Sequence, residues 1–163
     1  MLNLFKKRED PIKGFVSVRV YRHKKGFWET IADKKPNLLT NGGRDFFHAQ
    51  CYTNTSAGTK GSMELAVSTN TGGASAAHTS LAGEITTGGL GRLPATTITH
   101  SAGTNTTTLV KTWTASATHT DVQLAALFNT ATTGGTMTHE ATFTATTLVS
   151  GDQLELTWTL TLG

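Results

Sequence analysis

The residues from Gln153 to Leu162 alternate strictly between apolar and polar side chains. Every second position is apolar (Leu154, Leu156, Trp158, Leu160 and Leu162), and Glu155 and three threonines fill the gaps. A period of two places the apolar groups on one face of a β-strand and the hydroxyls on the other. The segment therefore predicts a strand with one dry face and one face turned to water or a partner, as in an antiparallel sheet.

Similar alternation recurs along the chain and predicts an all-β fold. Threonine accounts for about one residue in five, and its β-branched side chain fits a pleated sheet. The predicted strands are 15–21, 27–31, 63–67, 93–99, 107–115, 122–128, 136–145 and 153–162. We expect the turns between them to rely mainly on Gly and Asn. Short strands at this spacing are typical of sandwiches and barrels. We expect an antiparallel, jelly-roll-like β-sandwich of eight strands.

One segment departs from the alternation. Residues 42–51 follow two candidate N-caps, Thr40 and Asn41, and offer an apolar side that includes Phe46. Ser, Thr, Asp and Asn side chains satisfy the unpaired N–H groups that begin a helix. The sequence therefore predicts one short helix here.

The length of 163 residues suits a single domain with an extension. We expect a basic N-terminal arm over 1–14 and a β-sandwich domain over 15–163. Within that domain, residues 15–52 are predicted to supply a strand, a hairpin and the helix, and residues 53–163 the main β body.

The charge is unevenly distributed. Residues 1–50 hold 11 Lys and Arg against five Asp and Glu, whereas residues 51–163 hold three against six. A basic segment indicates docking on an acidic surface or on nucleic acid. The alternative is a solubilising terminus, because Glu9 and Asp10 follow the first cluster of cations directly.

We expect partner-docking residues where these cations meet aromatic side chains, because buried aromatic groups dominate interface energetics. The candidates are Lys6, Lys7, Arg8, Phe15, Arg19, Tyr21, Arg22, Phe27 and Trp28. For Trp28 the alternative is packing over the end of the sandwich. Trp113 and Trp158 lie in apolar alternation and are predicted to be core residues.

Cys51 is the single cysteine, so the chain has no internal disulfide framework. No run approaches the roughly 18 apolar residues of a membrane span. We expect synthesis in the cytoplasm without Sec export and no contact with a membrane.

Patterns that carry reaction chemistry are missing from the sequence. There is no Gly-x-Ser-x-Gly elbow, the acidic residues are isolated, and residues 88–92 resemble a phosphate loop but lack its Gly-Lys-Ser/Thr ending. His48 with Cys51, or His100 with His119 and His139, could contribute to a metal site, but packed or exposed side chains are the simpler interpretation. We therefore expect no enzymatic activity, no cofactor and no metal.

The polar faces of the predicted strands carry mostly threonine. Thr107, Thr112, Thr114, Thr142, Thr144, Thr157, Thr159 and Thr161 would form hydroxyl-bearing surfaces with little charge. Such faces suit burial against another copy, where hydroxyls hydrogen-bond across the contact or hold water. A symmetric homo-oligomer is expected, with ordinary solvation of threonine as the alternative.

Three stretches resemble structural proteins of tailed bacteriophages. The segment 37–45 (NLLTNGGRD) is similar to their Asn-x-x-Thr-Asn-x-Gly segment, and 65–73 followed by 78–85 is similar to a Gly-Thr-Gly loop with a downstream Ser/Asp-Thr-x-Leu-x-x-Glu. The segment 150–158 (SGDQLELTW) resembles their final strand. In this chain Ser68-Thr69-Asn70 replaces the Gly-Thr-Gly. The resemblance implies a β-sandwich subunit that assembles on a capsid or tail.

On this basis we expect a capsid decoration (cement) protein on the exterior of the virion. Its partners would be the major capsid protein and copies of itself, as a homotrimer, and nucleic acid is not an expected partner. Two alternatives remain at this point. One is a tail or neck component, and the other is a carbohydrate-binding or hydrolytic domain, which would need an exposed aromatic platform or a carboxylate pair.

Overall fold

The computed structural model describes residues 12–43, 45–46, 63–102, 104–132 and 134–162. Ten strands are present in this part of the chain: β1 (Ile12–Arg22), β2 (Phe27–Pro36), β3 (Leu38–Leu39), β4 (Glu64–Ser68), β5 (Leu93–Pro94), β6 (Thr97–His100), β7 (Thr106–Thr114), β8 (His119–Phe128), β9 (Met137–Leu148) and β10 (Gln153–Leu162). Helical residues are described at 41–43 and 45–46. The predicted all-β class is confirmed. Two strands beyond the expected eight are accounted for by β3 and β5, which have two residues each.

The strands form two five-stranded antiparallel sheets. Sheet A has the order β2-β1-β10-β7-β6, and sheet B has the order β3-β9-β8-β4-β5. The first strand pairs with the last over its whole length, from Ile12 opposite Leu162 to Tyr21 opposite Gln153. β10 pairs with β7 on its other side, so the most regular alternating segment of the sequence lies at the centre of sheet A.

The main core lies between the two sheets. Val16, Val18 and Val20 of β1 are fully buried opposite Trp158, Leu156 and Leu154 of β10. Trp113 is also buried, and its indole N–H donates to the carbonyl of Gly91 at 2.8 Å. Both predicted core tryptophans are therefore confirmed. Sheet B supplies the facing layer, which includes Leu65, Val67, Val122, Ala125, Leu127, Ala141 and Phe143.

A second apolar cluster lies on the outer face of sheet B. Leu124, Ala126 and Phe128 alternate with the core residues of β8 and pack with Leu81 from the long segment between β4 and β5. Leu81 is 5% exposed. Residues 69–80 form a loop, and several of its residues are half-buried. Within the described residues, sheet B thus carries packed apolar side chains on both of its faces.

The short helix begins as the sequence predicts. The Thr40 hydroxyl accepts a hydrogen bond from the N–H of Gly43 at 2.9 Å, which is the geometry of an N-cap. The same hydroxyl donates to the carbonyl of Met137 at 2.5 Å, which ties the helix start to β9. The predicted helical residues 47–51 lie outside the described residues.

β1 and β2 are both longer than the sequence predicts. β1 begins at Ile12, so residues 12–14 of the predicted arm are strand, and the rest of that arm lies outside the described residues. β2 continues to Pro36, whereas the predicted strand ends at Ile31. Two register shifts between β1 and β2 and a positive φ of 46° at Lys34 allow the strand to continue past its polar residues. Lys34 is also held by its N–H bond to the hydroxyl of Ser17 at 3.0 Å.

The outer face of sheet A carries the expected hydroxyls in register. Thr99, Thr108 and Thr159 lie side by side on β6, β7 and β10. Thr106 lies opposite Thr161 in the next row, with their hydroxyl oxygens 3.5 Å apart. Thr107 is on the other face of β7, opposite Leu160. Thr142 and Thr144 are exposed on sheet B.

No helix within the described residues is long and apolar enough to cross a membrane.

Candidate docking surface

The β1–β2 hairpin brings most of the predicted docking residues together. Over residues 12–36 it carries seven Lys and Arg against two Asp and Glu, a balance of +5. Two of the cations, Lys24 and Lys25, lie in the turn between the strands, and Lys34 and Lys35 lie near the end of β2. The hairpin is therefore the basic part of a body whose described remainder is mildly acidic.

Tyr21, Trp28 and Arg19 form one cluster on the outer face of the hairpin. Tyr21 is directly opposite Trp28 in the register of β1 and β2, and their ring centroids are 5.5 Å apart. The guanidinium carbon of Arg19 lies 5.0 Å from the centroid of the Trp28 ring. The same guanidinium is 2.5 Å from a carboxylate oxygen of Glu155 on β10. Arg19 is therefore held between an aromatic face and an acid, with 47% of its side chain exposed.

Exposed aromatic area is concentrated on this hairpin. Phe15, Phe27 and Trp28 are 40%, 48% and 39% exposed. Among the described residues only two further large hydrophobic side chains are exposed to a similar degree, Leu93 and Ile98. Part of the Trp28 side chain is therefore packed against the protein, and the remaining 39% is exposed to solvent. We refer to Phe15, Arg19, Tyr21 and Trp28, which share the outer face of the hairpin, as the hairpin surface. Phe27 lies opposite Arg22 and therefore on the other face.

Arg22, also a docking candidate, is engaged within the fold. Its Nε is 2.8 Å from Glu29, Nη1 donates to the carbonyl of Thr147 at 2.5 Å, and Nη2 donates to the Thr146 hydroxyl at 3.0 Å. Asp152 receives the backbone N–H of His23 at 2.9 Å. These contacts fasten the hairpin turn to β9 and to the β9–β10 turn. Arg22 therefore positions the hairpin surface, and its guanidinium has intramolecular partners.

The remaining candidates are dispersed or lie outside the described residues. Lys6, Lys7 and Arg8 lie outside the described residues, and so do His48 and Cys51. His100 lies on the edge strand of sheet A, whereas His119 and His139 are on β8 and β9 of sheet B. His119 Nε2 is 3.0 Å from the carbonyl of Gly88. Among the described residues no group of three or more His, Cys, Asp and Glu could hold a metal ion.

His139 is a core residue rather than a surface one. It is 1% exposed, packs edge-on against Trp158 with a centroid distance of 6.3 Å, and its Nδ1 lies 3.1 Å from the Thr138 hydroxyl. Burial lowers its pKa from 6.5 to about 4, because the charged imidazolium loses its hydration. The ring is therefore neutral at pH 7.

A buried acid lies on the outer face of sheet B. Glu140 is 1% exposed, and one of its oxygens accepts the N–H of Ser75 at 2.9 Å and lies 2.8 Å from His78 Nδ1. Both partners come from the long segment between β4 and β5. No local pattern indicates this contact, because 62 residues separate His78 from Glu140. It fastens the long segment between β4 and β5 to the outer face of sheet B.

Residues 88–92, which superficially resemble a phosphate loop, begin with a turn at 88–89. Gly88 and Gly89 have φ values of 63° and 86°. Leu90 is fully buried, and the Arg92 guanidinium is engaged by Glu84 at 2.6 Å. This segment closes the sandwich and offers no row of free N–H groups leading into a helix.

Comparisons with protein-family models, with curated proteins and with solved structures find no match to this chain.

Proposed function

We propose that this chain is a structural protein of a tailed-bacteriophage virion, and specifically a capsid decoration (cement) protein. The family resemblance suggests the virion. The observation that carries the docking role is that three of the five exposed large hydrophobic side chains in the described structure lie on one basic hairpin. Aromatic groups next to arginine are the composition of interface hot spots.

The mechanism in this proposal is mechanical. The sandwich acts as a rigid base, and the Arg22 and Asp152 contacts hold the hairpin at a fixed angle to it. The positive balance of the hairpin favours an acidic partner surface and speeds the encounter. Trp28 and its neighbours then lose their remaining exposed area against that surface. Each bound copy adds interface area across neighbouring capsid subunits and so opposes expansion or bursting of the head.

The proposed partners are the major capsid protein and further copies of this chain. Self-association multiplies the contacts that one assembly makes with the particle. The homotrimer expected from the sequence stays a prediction.

Retention on particles tests the docking role. Virions carrying wild-type chain, Trp28→Ala or Arg19→Ala would be purified, washed and quantified by mass spectrometry. We expect retention to fall at least tenfold for Trp28→Ala, since hot-spot truncations cost at least about 2 kcal/mol. Thr144→Ala, an exposed change on sheet B, is the control. Unchanged retention of Trp28→Ala would remove the hairpin surface from the proposal.

A truncation complements these substitutions. It should remove residues 1–11 only, because Ile12, Lys13 and Gly14 pair with Leu162, Thr161 and Leu160 of β10. Loss of retention on truncation would add the basic residues Lys6, Lys7 and Arg8 to the docking surface. Copy number in the same experiment separates capsid-wide coverage from the few copies of a tail or neck ring. Absence of the chain from purified virions would overturn the virion assignment.

Carbohydrate binding is the second candidate, and the Tyr21–Trp28 cluster is the observation that favours it. Two neighbouring rings that remain partly exposed provide the aromatic platform that a sugar ring stacks on. A glycan array probed with wild-type chain and with Trp28→Ala distinguishes the two functions. Binding that disappears in the variant supports a lectin-like role, and an array without signal leaves the docking proposal in place.

A further inference from the structure

The two sheets have four edge strands within the described structure: β2 and β6 in sheet A, and β3 and β5 in sheet B. An edge strand presents unpaired N–H and C=O groups that can pair with a strand from another chain. Proteins prevent this with charged residues, proline, bulges or very short edges. The four edges can therefore be compared by the protection that each one carries.

Three of the four edges are protected. β2 carries Glu29, Asp33, Lys34 and Lys35, ends at Pro36, and has two register shifts against β1. β3 and β5 have only two residues each, and Pro94 is one of the two in β5. A strand from another chain would gain few hydrogen bonds on either of these short edges.

β6 has none of these protections. Its residues, Thr97 to His100, are all exposed, include no Asp, Glu, Lys or Arg and no proline, and pair with β7 without a register shift. The uncharged stretch is longer than the strand, because no Asp, Glu, Lys or Arg occurs between Arg92 and Lys111. An identical copy would meet no charge repulsion from this segment.

The apolar interior is also open at this side of the sandwich. Ile98 lies opposite the core residue Leu109, and Leu93 opposite the core residue Leu65, so both point to the space between the sheets. They are nevertheless 49% and 43% exposed. On the other side of the sandwich β2 packs against β9 of sheet B, which closes the corresponding gap.

We propose that β6 pairs with β6 of a second copy of this chain, antiparallel about a two-fold axis. Two five-stranded sheets A would then join into one continuous sheet, with the threonine-bearing faces side by side. Antiparallel pairing of identical strands is self-complementary, as a two-fold interface requires. It would satisfy the free backbone groups of β6 and bury Ile98 and Leu93. Such a contact closes at two copies, so the assembly unit is a dimer.

Native mass spectrometry and sedimentation of the purified full chain test this inference. We expect the wild type to be a dimer at micromolar concentration. Ile98→Lys places an inward-pointing charge on the edge and should raise the dissociation constant at least tenfold. Thr30→Lys is the matched control, because it adds the same charge to an exposed site on β2, the other edge of the same sheet. It should leave the dimer intact. Far-UV circular dichroism checks that both variants keep the sandwich.

Cysteine cross-linking gives a second measurement that does not depend on weakening the contact. Directly opposite residues of an antiparallel pair have Cα atoms about 4.5–5.5 Å apart, within disulfide range. In a Cys51→Ser background, either Ile98→Cys or Thr99→Cys should form a covalent dimer on mild oxidation, according to which of the two residues lies on the two-fold axis, whereas Thr30→Cys should not. A monomer or trimer in solution, or a dimer that neither Ile98→Lys nor the cysteines report, overturns the inference.

The inference does not rest on the proposed virion role. Its test uses the isolated chain and no particle, so the two can fail separately. A β6 dimer that does not bind virions would contradict only the proposed function. A monomer that binds virions through the hairpin surface would contradict only the proposed dimer.

Discussion

The guanidinium carbon of Arg92 lies 3.4 Å from the centroid of the Phe128 ring. The same guanidinium makes two bonds to Glu84, at 2.6 and 2.9 Å. Its Nη1 donates to three backbone carbonyls at 3.3, 3.0 and 3.1 Å, those of Thr130, Thr132 and Gly134. One side chain, 6% exposed, thus joins the segment before β5 to the loop that follows β8.

Arg92→Ala should therefore be strongly destabilising. It leaves the Glu84 carboxylate and three carbonyls without their donor, and breaking a buried ion pair costs about 3–5 kcal/mol. Arg92→Lys should restore only part of the lost stability, because an ammonium group cannot reproduce the planar set of N–H donors of a guanidinium. Arg19→Ala is the matched control: its pair with Glu155 is exposed and should contribute about 0–1 kcal/mol. Urea unfolding measures all three, and equal losses for both Arg→Ala variants would contradict the prediction.

The stability of the fold should decrease as the pH falls from 6.5 towards 4. The pKa of His139 is about 4 in the folded chain and 6.5 in the unfolded chain, so over this window only the unfolded state takes up the proton. The shift corresponds to about 3 kcal/mol, all of it lost by pH 4. His139→Leu should make the unfolding free energy less dependent on pH by about that amount. Parallel curves for the two proteins would exclude His139 as the cause.

Gly89 should be irreplaceable, whereas Gly26 should not. Both have positive φ, 86° and 71°. A Cβ at Gly89 would clash with the carbonyl of Thr114, but a Cβ at Gly26 would meet no atom within 4 Å. Gly26→Ala should cost about 1–2 kcal/mol from backbone conformation alone, and Gly89→Ala clearly more. Thermal unfolding of the two variants measures the difference, and similar melting temperatures would refute the steric argument.

Asp152 should couple stability to docking. The residue is 3% exposed and accepts the N–H groups of His23 and Val149 at 2.9 and 3.2 Å. Asp152→Ala leaves these two donors unsatisfied and removes one acidic neighbour of Arg22, at a cost of about 1–3 kcal/mol. It should also lower retention on particles, because the hairpin turn loses its anchor. Retention is compared with that of Thr144→Ala. Full retention in a destabilised Asp152→Ala variant would show that the hairpin does not need this anchor to dock.

The sequence predicted those parts of the fold in which local pattern and long-range packing agree. β10 and its buried Trp158 follow from strict alternation, and the helix start follows from the hydroxyl of Thr40. β2 was predicted too short, because a positive φ at Lys34 and two register shifts have no local signature. β3 was missed since two residues are too few to show a period.

The candidate site was predictable to a similar extent. Clustering of aromatic and basic residues identified the hairpin surface, and the structure places Arg19, Tyr21 and Trp28 together. The sequence could not separate Arg22 from them, because its partners Thr147 and Asp152 are 125 and 130 residues away. The open β6 edge did leave a sequence signal, the uncharged run between Arg92 and Lys111, but only strand order reveals that this run lies at an edge.

The central position of β10 in sheet A constrains how the protein is made. β1 leaves the ribosome some 130 residues before its neighbour β10, as the Arg19–Glu155 contact illustrates with a separation of 136 residues. Pairing across so long a loop is slow. Until β10 emerges, the nascent hairpin has neither its strand partner nor the acid that orients Arg19. Prematurely terminated products would therefore lack both the strand that pairs with β1 and the carboxylate that holds Arg19.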